Sequence, residues 1–544
     1  MAAAMVATYG TSAQDVTVMA QLGSSGSNPS HCQRDLFRMP QFKDIKVPTP
    51  SSVRAYVIKQ KGSITAVEQE EIYFFKPSAW LKCLKEQGLV EQVLGPSPES
   101  FWQQVHPDDP KLTGITDKGS PGWNRRRPLL FHGDAVPHQK HDSTDCYSMV
   151  SLLSPGDQST HLCYLLLIGL PMACRCTEKK CKDLGLEFTE DTLDTIGREI
   201  ANDLNMLYDS KEMVLWVAPA DCDHLAKDYD LPNSGCNDKP CMRCDGNKDT
   251  LPISDVSPGA RWRHVMHTPA ELAMRPLTNH WLLSVKGVTH YTFMYDPMHC
   301  QDIGSSSHAV ANVLYDIFYK ELRGPNNKKK LHDLNNLVKE AYVAANVDME
   351  RRVQWVDIKH FCHPTAPHQN YPDLQHSAIK ARQTRYMVPM AFQLCKKYRK
   401  PGDEYSNARY YCLKNLNESY EIVDRHRLFI PECDYKKYAK NIKLFLEFYV
   451  SLAMHSAELD RRITIGQYQW SFTPKFHFLE HIRDDARYLS PRAFWCYGGE
   501  SKVGFVSRIA AACLSGTPPW RVSDTLCSKY RISKHLQFVE MSSL

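Results

Sequence analysis

The sequence predicts an α/β core, a mixed sheet with flanking helices, interrupted by a large and mostly helical insertion. Two observations carry this. Apolar runs of strand length gather between residues 127 and 220. From about 300 to 475 the apolar residues instead recur at helical spacing. With 544 residues and 42% hydrophobic content the chain is long enough for a sizeable core and several parts.

The elements follow in order. Residues 1–50 are rich in Ser, Gly and Ala with little periodicity, and are expected to be a disordered leader. Residues 51–124 read as a small accessory region with one helix around Ala79–Leu84. The first part of the core spans 125–300. Arg127 to Asp134 is an apolar run closed by Gly133-Asp134, and Cys146 to Leu153 and His161 to Cys174 are two more, with a turn at Pro155-Gly156-Asp157. Together they predict an antiparallel meander. Leu193, Ile196, Ile200, Leu204 and Leu207 then share one helix face, after an acidic start at Thr189-Glu190-Asp191. Met213 to Ala220 is a fourth strand, ending in Asp221. Three strands, a helix and a fourth strand open an RNase H-like domain. The helical block, 301–470, is expected at Ala309–Leu322, Leu331–Ala345, Ser377–Lys397 and Tyr438–Leu459, and residues 471–544 close the core and form a tail.

Composition excludes some classes. The most apolar run, Leu162 to Ala173, is about half of the ~20 residues a bilayer span needs, so no membrane partner is expected. Met1 to Leu22 lacks a basic stretch followed by an apolar block, so no signal peptide is expected. The 19 cysteines are scattered and partly arranged as C-x-C and C-x-x-C, which favours reduced thiols and metal ligands over disulfides. A net charge of +5 permits nucleic-acid binding without requiring it.

Asp134 and Asp221 each follow an apolar run. Carboxylates at adjacent strand ends converge, and a third acid from a helix would complete a two-metal site, with ions about 3.5–4 Å apart. Mg²⁺ suits such a set because it takes carboxylates, water and substrate phosphate. Asp223 is an alternative second acid, on the same face as Asp221 if the strand continues.

Several motifs resemble one known family. Phe131-His132-Gly133-Asp134-Ala135 with Ser148 to Leu153 resembles the first catalytic block of CACTA (En/Spm)-type transposases, and Trp216 to Asp221 the second. Leu231-Pro232, then Cys241-x-x-Cys244 and Pro258 to Arg263, resemble the segments that follow. Asp296-Pro297-Met298-His299 resembles the Asp/Cys-x-x-His signature, Pro474 to His481 the block before the last acid, and Tyr497-Gly498-Gly499-Glu500 that acid itself. The family often has Gly-Asp at the second acid, where this chain has Ala220-Asp221. The resemblance covers roughly 125–515. It implies an RNase H-like fold with a helical insertion before the final Glu, and the separation of 279 positions from Asp221 to Glu500 leaves room for one. It implies Asp134, Asp221 and Glu500 as a triad for Mg²⁺ or Mn²⁺, supported by Asp296 and His299, acting on duplex DNA, transposon ends and target, as a homo-oligomer in the nucleus. A catalytically inactive or domesticated DNA-binding relative is the rival.

Cys241 and Cys244 have the spacing of half a zinc site. His477 and His481, four apart, share a helix face and precede Glu500 much as the cysteines follow Asp221. By similarity to the V(D)J recombinase core, the four would hold one structural Zn²⁺. The bland alternative is a free cysteine pair and two surface histidines. Cys174, Cys176 and Cys181, with Lys179-Lys180, read as an exposed hairpin rather than a second cluster, and Cys236 as a spare ligand. Asn326 to Lys330 reads as a solvated basic loop. Arg125 to Arg127 and Arg382-x-x-Arg385 are candidate phosphate contacts.

Overall fold

The computed structural model describes residues 45–139, 142–155, 163–227, 239–247, 249–268, 280–362, 372–460, 469–514 and 517–543, with Leu231 and Glu271. Residues 1–44 of the expected leader, the Pro155-Gly156-Asp157 turn beyond its first residue, Pro232 and Cys236 lie outside the described residues; the last six leader residues are described, and Val47 among them is buried in the core.

Strands β1 (Ser51–Lys61) and β2 (Ile64–Phe74) form an antiparallel hairpin that the sequence reading lacks. β2 hides because only Ile72 and Phe74 are buried along its polar length. A local signal is present: Lys61 pairs with Ile64 across Gly62-Ser63, and Gly62 has φ 64°. A two-residue hairpin loop favours glycine at that left-handed first position. Helix α1 (Pro77–Glu86) follows, with Pro at its start where a missing N–H costs nothing.

Strands β3 (Arg127–Gln139), β4 (Asp142–Ser151) and β5 (Leu165–Pro171) are the antiparallel meander. A short helix α2 (Glu178–Asp183) leads to α3 (Thr192–Asp209), capped by Asp191, whose carboxylate accepts the Leu193 N–H at 2.8 Å. The chain then enters β6 (Met213–Ala220), parallel to β3. Helix α4 (Cys222–Lys227) begins directly after it, and β7 (Phe293–Tyr295) lies parallel to β6 on its other side. The sheet is therefore mixed, with strand order β5-β4-β3-β6-β7. Every residue of β5 and β6 is buried, which is why both read as unbroken apolar runs.

The insertion is helical, as the periodicity predicts: α5 (Ser306–Asp316), α6 (Asn327–Ala344), α7 (Ala381–Lys397), α8 (Glu404–Arg425) and α9 (Glu432–Asp460). α8 was not anticipated because its buried face carries Ser406, Arg409, Asn415, Asn417 and Ser419 among the apolar residues. Asn326 caps α6 through the Lys329 N–H at 2.9 Å, so that basic run opens a helix and is not a loop. Helices α10 (Pro474–Asp485), α11 (Tyr497–Leu514) and α12 (Val522–Ser543) follow the insertion. α11 packs on β3 and β4, and α12 on β2 and β5. One buried cluster runs from Val47 to Phe538 and joins all these layers. Among the described residues no helix is long and apolar enough to cross a membrane.

Three surface readings need correction. Cys174, Cys176 and Cys181 are fully buried, Cys181 lies on α2, and the Cys176 and Cys181 sulfurs are 3.3 Å apart. The three form no exposed hairpin, because this segment packs under β1 beside Ile58. Arg126 is buried and spends its guanidinium on Asp117 and the Tyr208 carbonyl, while Arg127 holds the carbonyls of Gly95 and Pro96. Arg385 is also buried, paired with Asp424 at 2.6 Å. Arg126 and Arg385 are thus turned inward, and Arg125 and Arg382 remain the exposed members of the two candidate phosphate contacts.

Candidate functional site

The parallel register places three acids level at one sheet edge. Leu130 pairs with Val217, and Asp134 and Asp221 each lie four residues further on. Ala218 pairs with Phe293, and Asp221 and Asp296 each lie three further. Asp221 and Asp296 follow the ends of β6 and β7, whereas β3 runs on to Gln139 against β4, so Asp134 lies inside a strand and not at its end, beyond the stretch that pairs with β6. Asp221 turns its carboxylate onto the first turn of α4, accepting the His224 N–H at 2.6 Å. Because the helix starts at Cys222, the strand does not continue to Asp223, and the face argument for that residue fails; its side chain lies outside the described residues.

Glu500 arrives from α11. Gly498 and Gly499 allow the approach: a Cβ at 498 would meet the Tyr164 ring at 2.7 Å, and one at 499 the His132 ring at 2.5 Å. The Gly-Gly-Glu motif is thus a backbone-on-sheet contact with an acid at its end. Gly499→Ala is expected to push α11 off β3 and to cost about 1–3 kcal/mol, measured by urea unfolding. A neutral effect would mean that the His132 ring yields freely.

Asp296 ties these parts together. Its fully buried carboxylate accepts the N–H groups of Met298 (3.0 Å) and His299 (3.1 Å), and that of Cys496 (2.8 Å) from the segment leading into α11. It also lies 2.5 Å from His299 Nδ1. His299 Nε2 in turn lies 4.0 Å from Glu500 Oε1. Burial opposes the charge of both partners. Their mutual bond and charge prevail, holding Asp296 below the usual carboxylate range and pushing His299 up to about 9.

Glu500 and Asp134 resist ionisation. Burial, then the Asp134 charge, push Glu500 up to about 8, against the opposing pull of His299. Burial also raises Asp134, with Asp221 adding to it and His224 opposing. Three half-buried carboxylates gathered at one edge, two of them raised in this way, form a concentrated set of hard oxygen donors.

Two residues near this edge carry no assigned role in the sequence reading, although His132 lies in the motif around Asp134. His132 stands two before Asp134 on the same strand face, buried, with its pKa pushed down to about 3 by burial and by His224. His224 sits one helical turn after Asp221 against the Tyr147 ring at 5.7 Å. The i, i+2 spacing from Asp134 was the available signal for the first; nothing local signals the second.

A separate cluster lies behind the acid edge. Cys241, Cys244, His477 and His481 are all buried, and their ligand atoms all lie within 4.8 Å of one another. The Cys241 sulfur is 3.1 Å from His481 Nε2, the Cys244 sulfur 3.3 Å from His477 Nε2, and the two Nε2 atoms are 3.1 Å apart. A tetrahedral S₂N₂ zinc site has edges of roughly 3.3–3.8 Å, so the spacing suits an ion at the centre. The N–H groups of Arg243 and Gly246 donate to the Cys241 and Cys244 sulfurs at 3.3 Å each, which favours thiolates. Burial opposes the Cys241 thiolate, but hydrogen bonding with Cys244 and the two imidazoles hold it well below the ordinary thiol range; the same shared bond pushes Cys244 up.

This cluster could hold a metal ion such as zinc. The surface-histidine alternative is excluded by burial: His477 is 0% and His481 2% exposed. Trp262 packs edge-on against His477 at 4.5 Å, and Arg263 pairs with Glu480 of the same helix at 2.9 Å. The Pro258–Arg263 block is therefore part of the wall that orients α10. No protein-family model and no curated protein matches this chain.

Proposed function

We propose that this protein is a DNA transposase of the CACTA type with an RNase H-like core, cleaving and joining DNA strands through Asp134, Asp221 and Glu500. The observation that carries the reading is the level placement of Asp134 and Asp221 on adjacent parallel strands, with Glu500 brought against Asp134 by a helix from beyond the insertion. An antiparallel meander, a helix and a parallel strand are the opening such a core requires, and they support the fold assignment.

In this reading Asp134, Asp221 and Glu500 hold Mg²⁺ or Mn²⁺. When bound, such ions would supply activation of the attacking oxygen and stabilisation of the leaving one, with the three carboxylates as their protein ligands. Water first opens the phosphodiester at a transposon end, and the freed 3′-hydroxyl then attacks a target phosphodiester. Asp296 keeps His299 charged and oriented toward Glu500, where its Nε2 hydrogen can meet a phosphate oxygen. Cys241, Cys244, His477 and His481 hold a structural Zn²⁺ that joins the segment before the insertion to the helix after it. Duplex DNA, a homo-oligomeric assembly on it and a nuclear location follow from the same reading.

The test is strand cleavage and joining on DNA that carries the ends flanking this coding sequence. Activity is expected with Mg²⁺ or Mn²⁺ and not with Ca²⁺ or chelator. Activity that survives both Asp134→Ala and Glu500→Ala overturns the assignment. A folded, zinc-loaded protein that binds those ends without cutting them is the rival, an inactive relative.

A further inference from the structure

The acid edge and the helical insertion meet at one buried group that the proposed chemistry does not use. Asp302 lies in the wide helical turn Met298–Ser305, just after His299. Its side chain is 2% exposed. Tyr420 of α8 donates its hydroxyl to Asp302 Oδ1, and Tyr497, the first residue of α11, donates its own to Oδ2 at 2.7 Å. Arg385 of α7 stands 3.7 Å from the same carboxylate. The Arg385 guanidinium lies over the rings of Tyr420 at 4.3 Å and Trp495 at 5.0 Å, and Trp495 meets Tyr497 edge-on at 5.2 Å.

We infer that Asp302 is a positioning residue through which the insertion holds the segment bearing Glu500. The inference rests on the phosphodiester reading for its functional consequence, and on geometry alone for the link. Tyr497 precedes Glu500 by one helical turn. The segment entering α11 is held at two points: its backbone at Cys496 by Asp296, and its side chain at Tyr497 by Asp302. Both anchors belong to the one short stretch that also carries His299. Tyr420 and Arg385 then fix that stretch to α7 and α8. The insertion is thereby joined to the third acid by hydrogen bonds across three elements and not only by chain connectivity.

The chemistry explains the choice of groups. A buried carboxylate with one nearby guanidinium and two phenols contributes little net stability, because desolvation offsets much of the attraction. What such a network supplies is geometry: each phenol has one donor direction, and both converge on one planar acceptor. A catalytic carboxylate displaced by about 1 Å loses much of its effect.

The variants are Tyr497→Phe and Tyr420→Phe, which keep the rings and remove one donor each, with Asp302→Asn as an isosteric third. Hydrogen–deuterium exchange of the 496–505 amides is expected to rise at least about tenfold in each. Exchange in α10 is expected to stay near wild type, while the thermal midpoint of the two tyrosine variants falls by a few degrees because the buried carboxylate loses a donor. On end-containing DNA, kcat is expected to fall roughly 10- to 100-fold with KM for DNA unchanged, and half-saturation by Mg²⁺ to move to higher concentration. Unchanged exchange in the three variants overturns the link whatever the activity. Raised exchange with wild-type kcat overturns the positioning role. Absence of metal-dependent cleavage by the wild-type protein overturns the transposase reading instead, and exchange alone then decides the link.

Discussion

Glu500→Gln is expected to lower metal-dependent DNA cleavage by roughly 10³-fold or more, and to leave the chelator-treated protein at least as stable as wild type. The two effects have opposite sign for one physical reason. A carboxylate that binds a catalytic ion stabilises the transition state by several kcal/mol, and each 1.36 kcal/mol is tenfold in rate. Without an ion the same carboxylate is a liability. Burial and the neighbouring Asp134 push its pKa up to about 8 from an ordinary 4.5. A raised acid pKa means that the folded state binds the proton more tightly than the unfolded state. Glu500 therefore costs nothing below the ordinary value, and its penalty grows as pH rises from there through about 8. Glutamine keeps the shape and removes the charge. Thermal melts at pH 6 and pH 9 in chelator should show the variant gaining on wild type at the higher pH, while cleavage assays show the loss. A variant that loses stability at pH 9 would mark Glu500 as a structural group.

Cys241→Ser is expected to cost about 4 kcal/mol or more of stability, and chelation of zinc a similar amount. A ligand bound at 1,000 times its Kd stabilises the folded state by about 4.1 kcal/mol, and structural zinc sites reach that regime readily. The loss should be local before it is global. Cys241 and Cys244 sit on the segment after β6, and His477 and His481 on α10, so exchange should rise first in α10 and around Trp262, which packs on His477 at 4.5 Å. Metal analysis of the purified protein should give one zinc per chain, falling to none in the variant. Wild-type protein that carries no metal and melts unchanged in chelator would show that the four side chains pack without an ion.

The two sites differ in how far the sequence exposes them. Cys241 and Cys244 carry their spacing in the chain, and so do His477 and His481, because a zinc half-site is built on one turn or one helix face. Pairing the halves needed a family resemblance; the structure brings the four together through packing of α10 against the segment after β6. Asp134 and Asp221 are legible because each follows an apolar run that lies buried; the run marks a strand end at Asp221, but β3 continues through Asp134 to Gln139. Asp302 was not legible. It is one acid in a polar stretch, and its partners Tyr420, Arg385 and Tyr497 lie 83 to 195 residues away in the chain.

The failures share a cause. The β1–β2 hairpin and α8 were missed because their buried faces are partly polar, and periodicity counts only apolar residues. Arg126 and Arg385 are of a type that favours the surface and Cys176 stands near Lys179-Lys180, yet each is buried by contacts with distant segments that residue type does not reveal. The sequence by itself determined the apolar strands, the helical block, the two halves of the metal cluster and the acids that close the apolar runs, since these depend on short-range periodicity and spacing. Only the tertiary structure decided the strand order, the level register of Asp134, Asp221 and Asp296, the approach of Glu500 over two glycines, and the Asp302 network. Those depend on which distant segments pack together, and a buried carboxylate looks the same in the chain as one in water until the groups that desolvate and bond it are in place.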